Sequence, residues 1–382
     1  MAETAAAAPE GDEELRVSSI ELFFDLVFVF TITQLTAVLA RHPNGESLGQ
    51  ILLMLTAIWW MYAGFAWLTN AVPPDRTALR LPLMAGMAAF FAISLTIPTA
   101  FDGDGVVFAC AYLAVIGIHM VLYMQSASWS VAGVWSFSRM NLVAAALILA
   151  ATIVGGTWEY VLWGLAVSTF VITPWLVPEE AGWIIPSHFV ERHGLVVMVA
   201  LGESVVAVGI GASGLEITGE MLAVAVLGLV VSAELWWVYF GGDDKEAEGA
   251  LRRMTPTRRE FYAVNVAYYW AHLLLLLGII CDAAALERAI GHAFDPLDFA
   301  RALALGGGTA VFLVGHAFFR RILDLPLRPW RALAAVLALA TIPLGTEFSA
   351  LAQIGALAGS FGICLALEGE PEPSVAPATA SD

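Results

Sequence analysis

Glu21 and Asp25 stand one helical turn apart inside residues 18–40, SSIELFFDLVFVFTITQLTAVLA, a stretch otherwise almost wholly apolar and long enough to cross a bilayer. Hydrocarbon does not solvate a carboxylate, so each must face protein, water or a cation. Asp25 lies about 7 residues into the stretch, or ~10 Å along a helix rising 1.5 Å per residue. Glu21 suits a helix start, where the dipole and snorkelling toward water help an acid. Asp25, flanked by Phe24, Leu26, Val27 and Phe28, fits that role less well. A third acid, Glu203, occupies VALGESVVAVG near the middle of another apolar stretch, beyond the reach of either aid. Acids stepped along one path are what a relay of protons or cations uses. Glu234 precedes Trp236 and Trp237, and His119 lies at a similar depth in its own stretch; with His316 and Arg320 they suggest an ionisable cluster on the cytoplasmic half. His119, His272 and His316 rank below Asp25 and Glu203, since a lone membrane histidine more often serves as a structural hydrogen-bonder.

These residues need a scaffold, and composition supplies its class. The chain has 382 residues, 59% apolar and only 13% charged, with a mean hydropathy of +0.80; a soluble domain carries about a quarter charged residues. Stretches of spanning length fall at 18–40, 48–70, 79–98, 106–125, 139–154, 158–177, 189–209, 221–240, 261–281, 299–319, 330–344 and 348–367, the fifth and eleventh being short. With this count all Lys and Arg fall on the side of the N-terminus except Arg41, Arg288 and Arg301, which puts both termini in the cytoplasm and the protein in the inner (plasma) membrane. The net charge of −17 argues against nucleic acid and against a polybasic lipid anchor. The expected organisation is an acidic disordered tail over 1–17, six helices over 18–177, a linker at 178–188, six more over 189–367 and a second disordered tail over 368–382. No secretory signal is visible. Cys110, Cys281 and Cys364 fall in separate stretches and suggest neither a disulfide nor a metal site.

The two sets of six share landmarks in order. ELFFDLVFVF from Glu21 matches ERHGLVVMVA from Glu191; WWMY from Trp59 matches WWVY from Trp236; His119 matches His316; Arg139 matches Arg331. In this alignment Thr33 stands opposite Glu203 and Asp25 opposite Leu195. An even number of spans gives both halves one orientation, so the expected fold is all-α: about twelve transmembrane helices in two parallel six-helix repeats around a central path.

IELFFDLVFVFTITQL (from Ile20), ERHGLVVMVALGESVVAVG (from Glu191) and WWVYF (from Trp236) resemble the bacterial low temperature requirement A family, over nearly everything but the tails. The resemblance implies a polytopic membrane protein without a recognised cofactor, and no settled substrate. FFDLVFVFTITQL (from Phe23) is also similar to the F-S-D-A-V-F-A-x-x-x-T pattern of the lysosomal and bacterial potassium channels built from six-helix repeats: Phe23, Asp25, Val27, Phe28 and Thr33 match, while Phe24 replaces the serine and the second half lacks the motif. That likeness implies a first helix that lines or braces a pore.

The expected activity is transport or ion conduction, with Asp25 and Glu203 carrying protons or cations, Glu21, Glu234 and His119 assisting, and Thr33, Glu191, Arg192 and His316 secondary. The partners would be membrane lipids and a small solute or ion; a dimer is needed only if a pore is four-fold pseudo-symmetric. Phosphate loops, HExxH and nucleophile elbows are missing, so no catalytic residue, metal or cofactor is expected. Two other classes stay open. A lipid-modifying enzyme would converge Glu21, Glu191, Arg192 and His193 at headgroup level, and a structural or sensory protein would cap Asp25 and Glu203 with neighbouring helices.

Overall fold

Asn44, Thr218, Asp298 and Ser349 each accept the backbone N–H three residues on, at 2.8, 3.2, 2.9 and 3.1 Å, which fixes where four of the helices begin. The computed structural model describes residues 17–125, 131–176, 184–255 and 257–369; residues 1–16 and 370–382 of the expected tails and the first six residues of the expected linker lie outside them, whereas Glu368, expected in the second tail, ends the last helix. Among the described residues every element is helical: α1 Ser19–Arg41, α2 Gly45–Ala71, α3 Thr77–Thr96, α4 Gly105–Met124, α5 Val131–Val154, α6 Gly156–Leu176, α7 Pro186–Gly211, α8 Gly219–Phe240, α9 Asp243–Arg253, α10 Arg258–Asn265, α11 His272–Ala289, α12 Phe299–Ile322, α13 Pro329–Ala340, α14 Ile342–Glu347 and α15 Ala350–Glu368. A short 3₁₀ turn follows α3, and a π-helical turn, Val266–Ala271, joins α10 to α11.

Ten of these helices or helical runs are long and apolar enough to cross a membrane, so the chain is a multi-pass membrane protein. The twelve expected stretches are all helical over most of their length, and ten of them fall in these runs. α5 and α6, outside those ten, are helices of 24 and 21 residues. The eleventh stretch is broken rather than merely short. α13 stops at Ala340, and Pro343 sits in the first turn of α14, because a residue without an N–H cannot continue the ladder. α7 starts at Pro186, so the expected linker gives up its last three residues to the helix.

Apolar side chains on the outside fit a bilayer: Leu26, Val205, Val226, Leu229, Val314 and Ile363 are all exposed, an arrangement that water would penalise. Inside, α1 packs on α2 and α3, α3 on α4, α4 on α2 and α5, and α6 on α5 and α2. In the second half α7 packs on α8 and α11, α11 on α12, α12 on α8 and α13, and α15 on α13 and α8. The halves join where α1 and α2 pack on α7 and α11. α11 and α12 cross so closely that a Cβ on Gly278 would lie 2.6 Å from the Gly308 carbonyl oxygen, the small-residue contact that brings membrane helices together.

Candidate functional site

Two i,i+4 pairs face each other across the contact between α1 and α7. Glu21 and Asp25 point from α1; His188 and Arg192 point from α7; all four are at most 2% exposed. The Arg192 Nη1 lies 3.1 Å from Asp25 Oδ1 and donates to Oδ2 at 3.3 Å. Its Nε is 3.9 Å from Glu21 Oε1. Tyr62 of α2 donates its hydroxyl to Asp25 Oδ1 at 2.5 Å, with its ring centroid 5.7 Å from the guanidinium carbon. Glu21 also holds the helix start, taking the Ser18 N–H at 2.9 Å and the Ser18 hydroxyl at 2.7 Å on Oε2. The expectation that Glu21 snorkels at a helix terminus is therefore corrected: it caps α1 while buried among charged partners.

The charge state of His188 follows from its neighbours. Asn70 of α2 is fixed by the Ile185 backbone, accepting its N–H at 2.8 Å and donating to its carbonyl at 3.0 Å. The other Asn70 N–H then faces His188 Nδ1 at 3.2 Å, so Nδ1 accepts and the proton sits on Nε2, which lies 3.3 Å from Glu21 Oε1. A second proton on Nδ1 would meet the Asn70 N–H. With Nδ1 facing the amide in this way, two carboxylates share one guanidinium. Arg192 is the one permanent cation against the two acids.

Higher along the same two helices, Thr33 of α1 donates its hydroxyl to Glu203 Oε2 of α7 at 2.6 Å. Glu203 is 1% exposed, and its Oε1 has no hydrogen-bond partner. Asp25 and Thr33 are 8 positions apart, or ~12 Å of helix, so one seam carries acids at two depths. The contacts Glu21–His188, Asp25–Arg192 and Thr33–Glu203 ascend together, which means that α1 and α7 run parallel.

His316 and Arg320 belong elsewhere. Asp243, at the start of α9, takes His316 Nε2 at 2.8 Å, Arg320 Nη1 at 2.7 Å and Arg331 Nη1 at 2.8 Å. Arg331 also bonds Glu368 at 2.8 Å. Glu246 pairs with Arg320 and Arg328 at 2.8 and 3.0 Å. Three acids meet three arginines, and an Arg331 N–H faces His316 Nδ1 at 3.3 Å. This balanced network ties the end of α8 to α12, α13 and α15.

The expected cytoplasmic cluster of Glu234, His119, His316 and Arg320 does not assemble, because the helices that carry them turn these faces in different directions. His119 lies inside the first half against Tyr123 and Phe65, with ring centroids 4.8 and 5.1 Å away. Glu234 borders an open groove of about 470 Å³ between α8 and α15, beside Trp237 and Gly362. Trp236 and Trp237 are exposed on that side, whereas Trp59 and Trp60 are buried in the first half. The headgroup set does not converge either: Glu191 is exposed and takes the Val17 N–H at 3.3 Å, while His193 turns away and packs tilted against Phe189 and edge-on against Tyr268 and His272.

Sequence reasoning missed Tyr62, Asn70, His188, Asp243 and Asp282. His188 had a usable signal, since with Arg192 it repeats the i,i+4 spacing of Glu21 and Asp25 with complementary chemistry. Asp282 of α11 accepts the Thr309 hydroxyl at 3.0 Å and is buried at the α11–α12 crossing. Among the described residues no group of three His, Cys, Asp or Glu side chains is placed to hold a metal ion.

The profile of the bacterial low temperature requirement A protein family (LtrA) matches residues 16–367. An uncharacterized protein of Rhizobium meliloti (strain 1021) is 28% identical over 338 residues, covering 82% of this chain and 79% of that protein. No solved structure matches.

Proposed function

Because the chain belongs to the bacterial low temperature requirement A family, we propose that this integral membrane protein moves protons or small cations along the seam between α1 and α7. One observation carries the reading: the seam buries Glu21 and Asp25 against a single full cation, one positive charge short, whereas the Asp243 network at the other buried charge cluster is balanced. A purely structural ion-pair cluster has every reason to balance, since an uncompensated buried charge is strongly destabilising. A missing charge at membrane depth is what a mobile cation or proton supplies. Glu203 offers the second station on the route.

The seam lies where two repeated halves would meet. Each contact within α1–α6 has its counterpart, in the same order, among α7, α8, α11, α12, α13 and α15. Thr33 and Glu203, opposite one another in the sequence alignment, touch each other, as matched positions do on a two-fold axis. Glu21 reaches His188 of the second half, and Glu191 takes the Val17 N–H of the first. We read the protein as two parallel six-helix repeats, with α5 and α6 completing the first. Arg192, Arg320 and Arg331 are buried in ion pairs and drop out of the topology argument, but the remaining Lys and Arg still favour the side of the N-terminus, which supports cytoplasmic termini in the plasma membrane.

Reconstitution into liposomes loaded with proton- and potassium-sensitive dyes tests the reading. The wild-type protein should carry a flux that Glu203→Gln abolishes while the fold remains intact. Wild-type flux in that variant would remove Glu203 from the mechanism.

A further inference from the structure

We propose that the species moved along the α1–α7 seam is the proton and not a metal cation, an inference that rests on the transport reading above. A metal ion stripped of water needs a shell of oxygen ligands whose lone pairs face it. The seam presents the opposite. Asp25 Oδ1 accepts the Tyr62 hydroxyl, and Oδ2 accepts Arg192 Nη1. Glu21 Oε2 accepts both Ser18 donors and lies 3.4 Å from His188 Nε2. Glu21 Oε1 is left as the carboxylate oxygen without a hydrogen bond, and even there the His188 Nε2–H stands at 3.3 Å and the Arg192 Nε at 3.9 Å.

The site therefore converges donors on its acids, and a guanidinium occupies the place from which a metal ion would have to be coordinated. Only a cation that needs a single lone pair fits, and that is the proton. His188 is closed to it by the Asn70 N–H, so the acceptor is the Glu21–Asp25 pair. The step balances without a co-reactant: hydronium at one face gives its proton to one carboxylate and becomes water, and the carboxylic acid later returns the proton to water at the other face. Glu203 repeats the pattern higher up, with Oε2 taken by Thr33 and Oε1 free. The groups that face this route are Tyr62 and Asn70 from α2, His188, Arg192 and Glu203 from α7, and Glu287 from α11, which lies within electrostatic range of Glu203.

Proteoliposomes given a pH gradient, with all Na⁺ and K⁺ replaced by N-methylglucamine, separate this inference from the reading beneath it. Proton flux should persist without either metal and fall to the rate of empty vesicles in Glu21→Gln and Asp25→Asn. Flux that requires Na⁺ or K⁺, and is lost in the same variants, overturns the proton inference and leaves the transport reading standing. Flux of every ion unchanged in both variants overturns the two together. Infrared difference spectra of the detergent-solubilised protein across a pH titration give a readout independent of transport. A protonated-carboxyl band that disappears in Glu21→Gln or Asp25→Asn is expected, and a wild-type spectrum with no such band from either residue sinks the proposal.

Discussion

Replacing Arg192 by Met and Asp25 by Asn, singly and together, should give opposite results that follow from the charge count at the seam. Arg192→Met removes the only full cation and leaves two buried carboxylates together. At the observed 3.1 Å between Arg192 and Asp25, and an effective dielectric constant of about 20, the pair's Coulomb attraction is about 5 kcal/mol. Breaking a buried pair by deleting one partner destabilises by about 3–5 kcal/mol, and Arg192→Met should fall in that range. Asp25→Asn leaves Glu21 against Arg192, a balanced pair, and the Asn carbonyl can still accept the Tyr62 hydroxyl. Its cost should be about 1 kcal/mol, the scale of one altered hydrogen bond. In the double variant one of the two orphaned acids is gone and Glu21 alone remains without the guanidinium, so the coupling between the sites should recover about 2–3 kcal/mol of the Arg192→Met loss. Reversible denaturation in mixed micelles, followed by tryptophan fluorescence, measures all three. If Asp25→Asn destabilised as much as Arg192→Met, or if the double variant were simply the sum, the seam would not be short of positive charge.

The remaining predictions concern the surroundings of the seam. Asp243→Asn removes the anion shared by His316, Arg320 and Arg331 and should destabilise by about 3–5 kcal/mol, without altering which ion the folded protein carries in proteoliposomes. Thr33→Val should cost about 1–3 kcal/mol by stripping Glu203 of its hydrogen bond, whereas Thr33→Ser should keep wild-type stability and flux. Glu234→Gln, in the groove between α8 and α15, should leave flux unchanged, because the groove is remote from the seam in the packing order. Gly308→Val should abolish the yield of monodisperse protein, since a Cβ there would sit 2.5 Å from Asp282 Oδ1 and 2.8 Å from the Gly278 carbonyl oxygen.

Spans were legible because continuous apolar text of spanning length is a one-dimensional signal: α1, α7 and α8 each lie within three residues of their expected limits at both ends. The break at Pro343 and the π-helical turn at Val266–Ala271 were not legible in the same way, since each depends on how neighbouring helices satisfy the freed backbone. Asp282, one residue past an expected stretch, was missed, whereas Glu21, Asp25 and Glu203 were found because a charge in apolar text is conspicuous. Their partners were not, for partner choice is set by helix rotation. Arg192 was read as a headgroup-level charge, yet the turn of α7 that carries it packs inside, against Asp25. Thr33 and Glu203 were placed opposite each other in an alignment of the halves, but nothing in an alignment says that matched residues touch; that requires the axis to pass between α1 and α7.

Charge parity separates the two buried networks more sharply than burial does. Both draw on several helices, both are buried, and both hold a histidine with a neighbouring N–H at its Nδ1. Around Asp243 three acids face three arginines; such a cluster gains nothing by changing its protonation. At the seam the same construction stops one cation short, and Asn70, pinned to the Ile185 backbone, prevents His188 from supplying it. A fold that only needed a brace could have balanced the seam with a single amide in place of Asp25. Keeping the acid carries an energetic cost that is recovered only when something positive arrives, and in a site crowded with donors that arrival must be small, transient and indifferent to coordination.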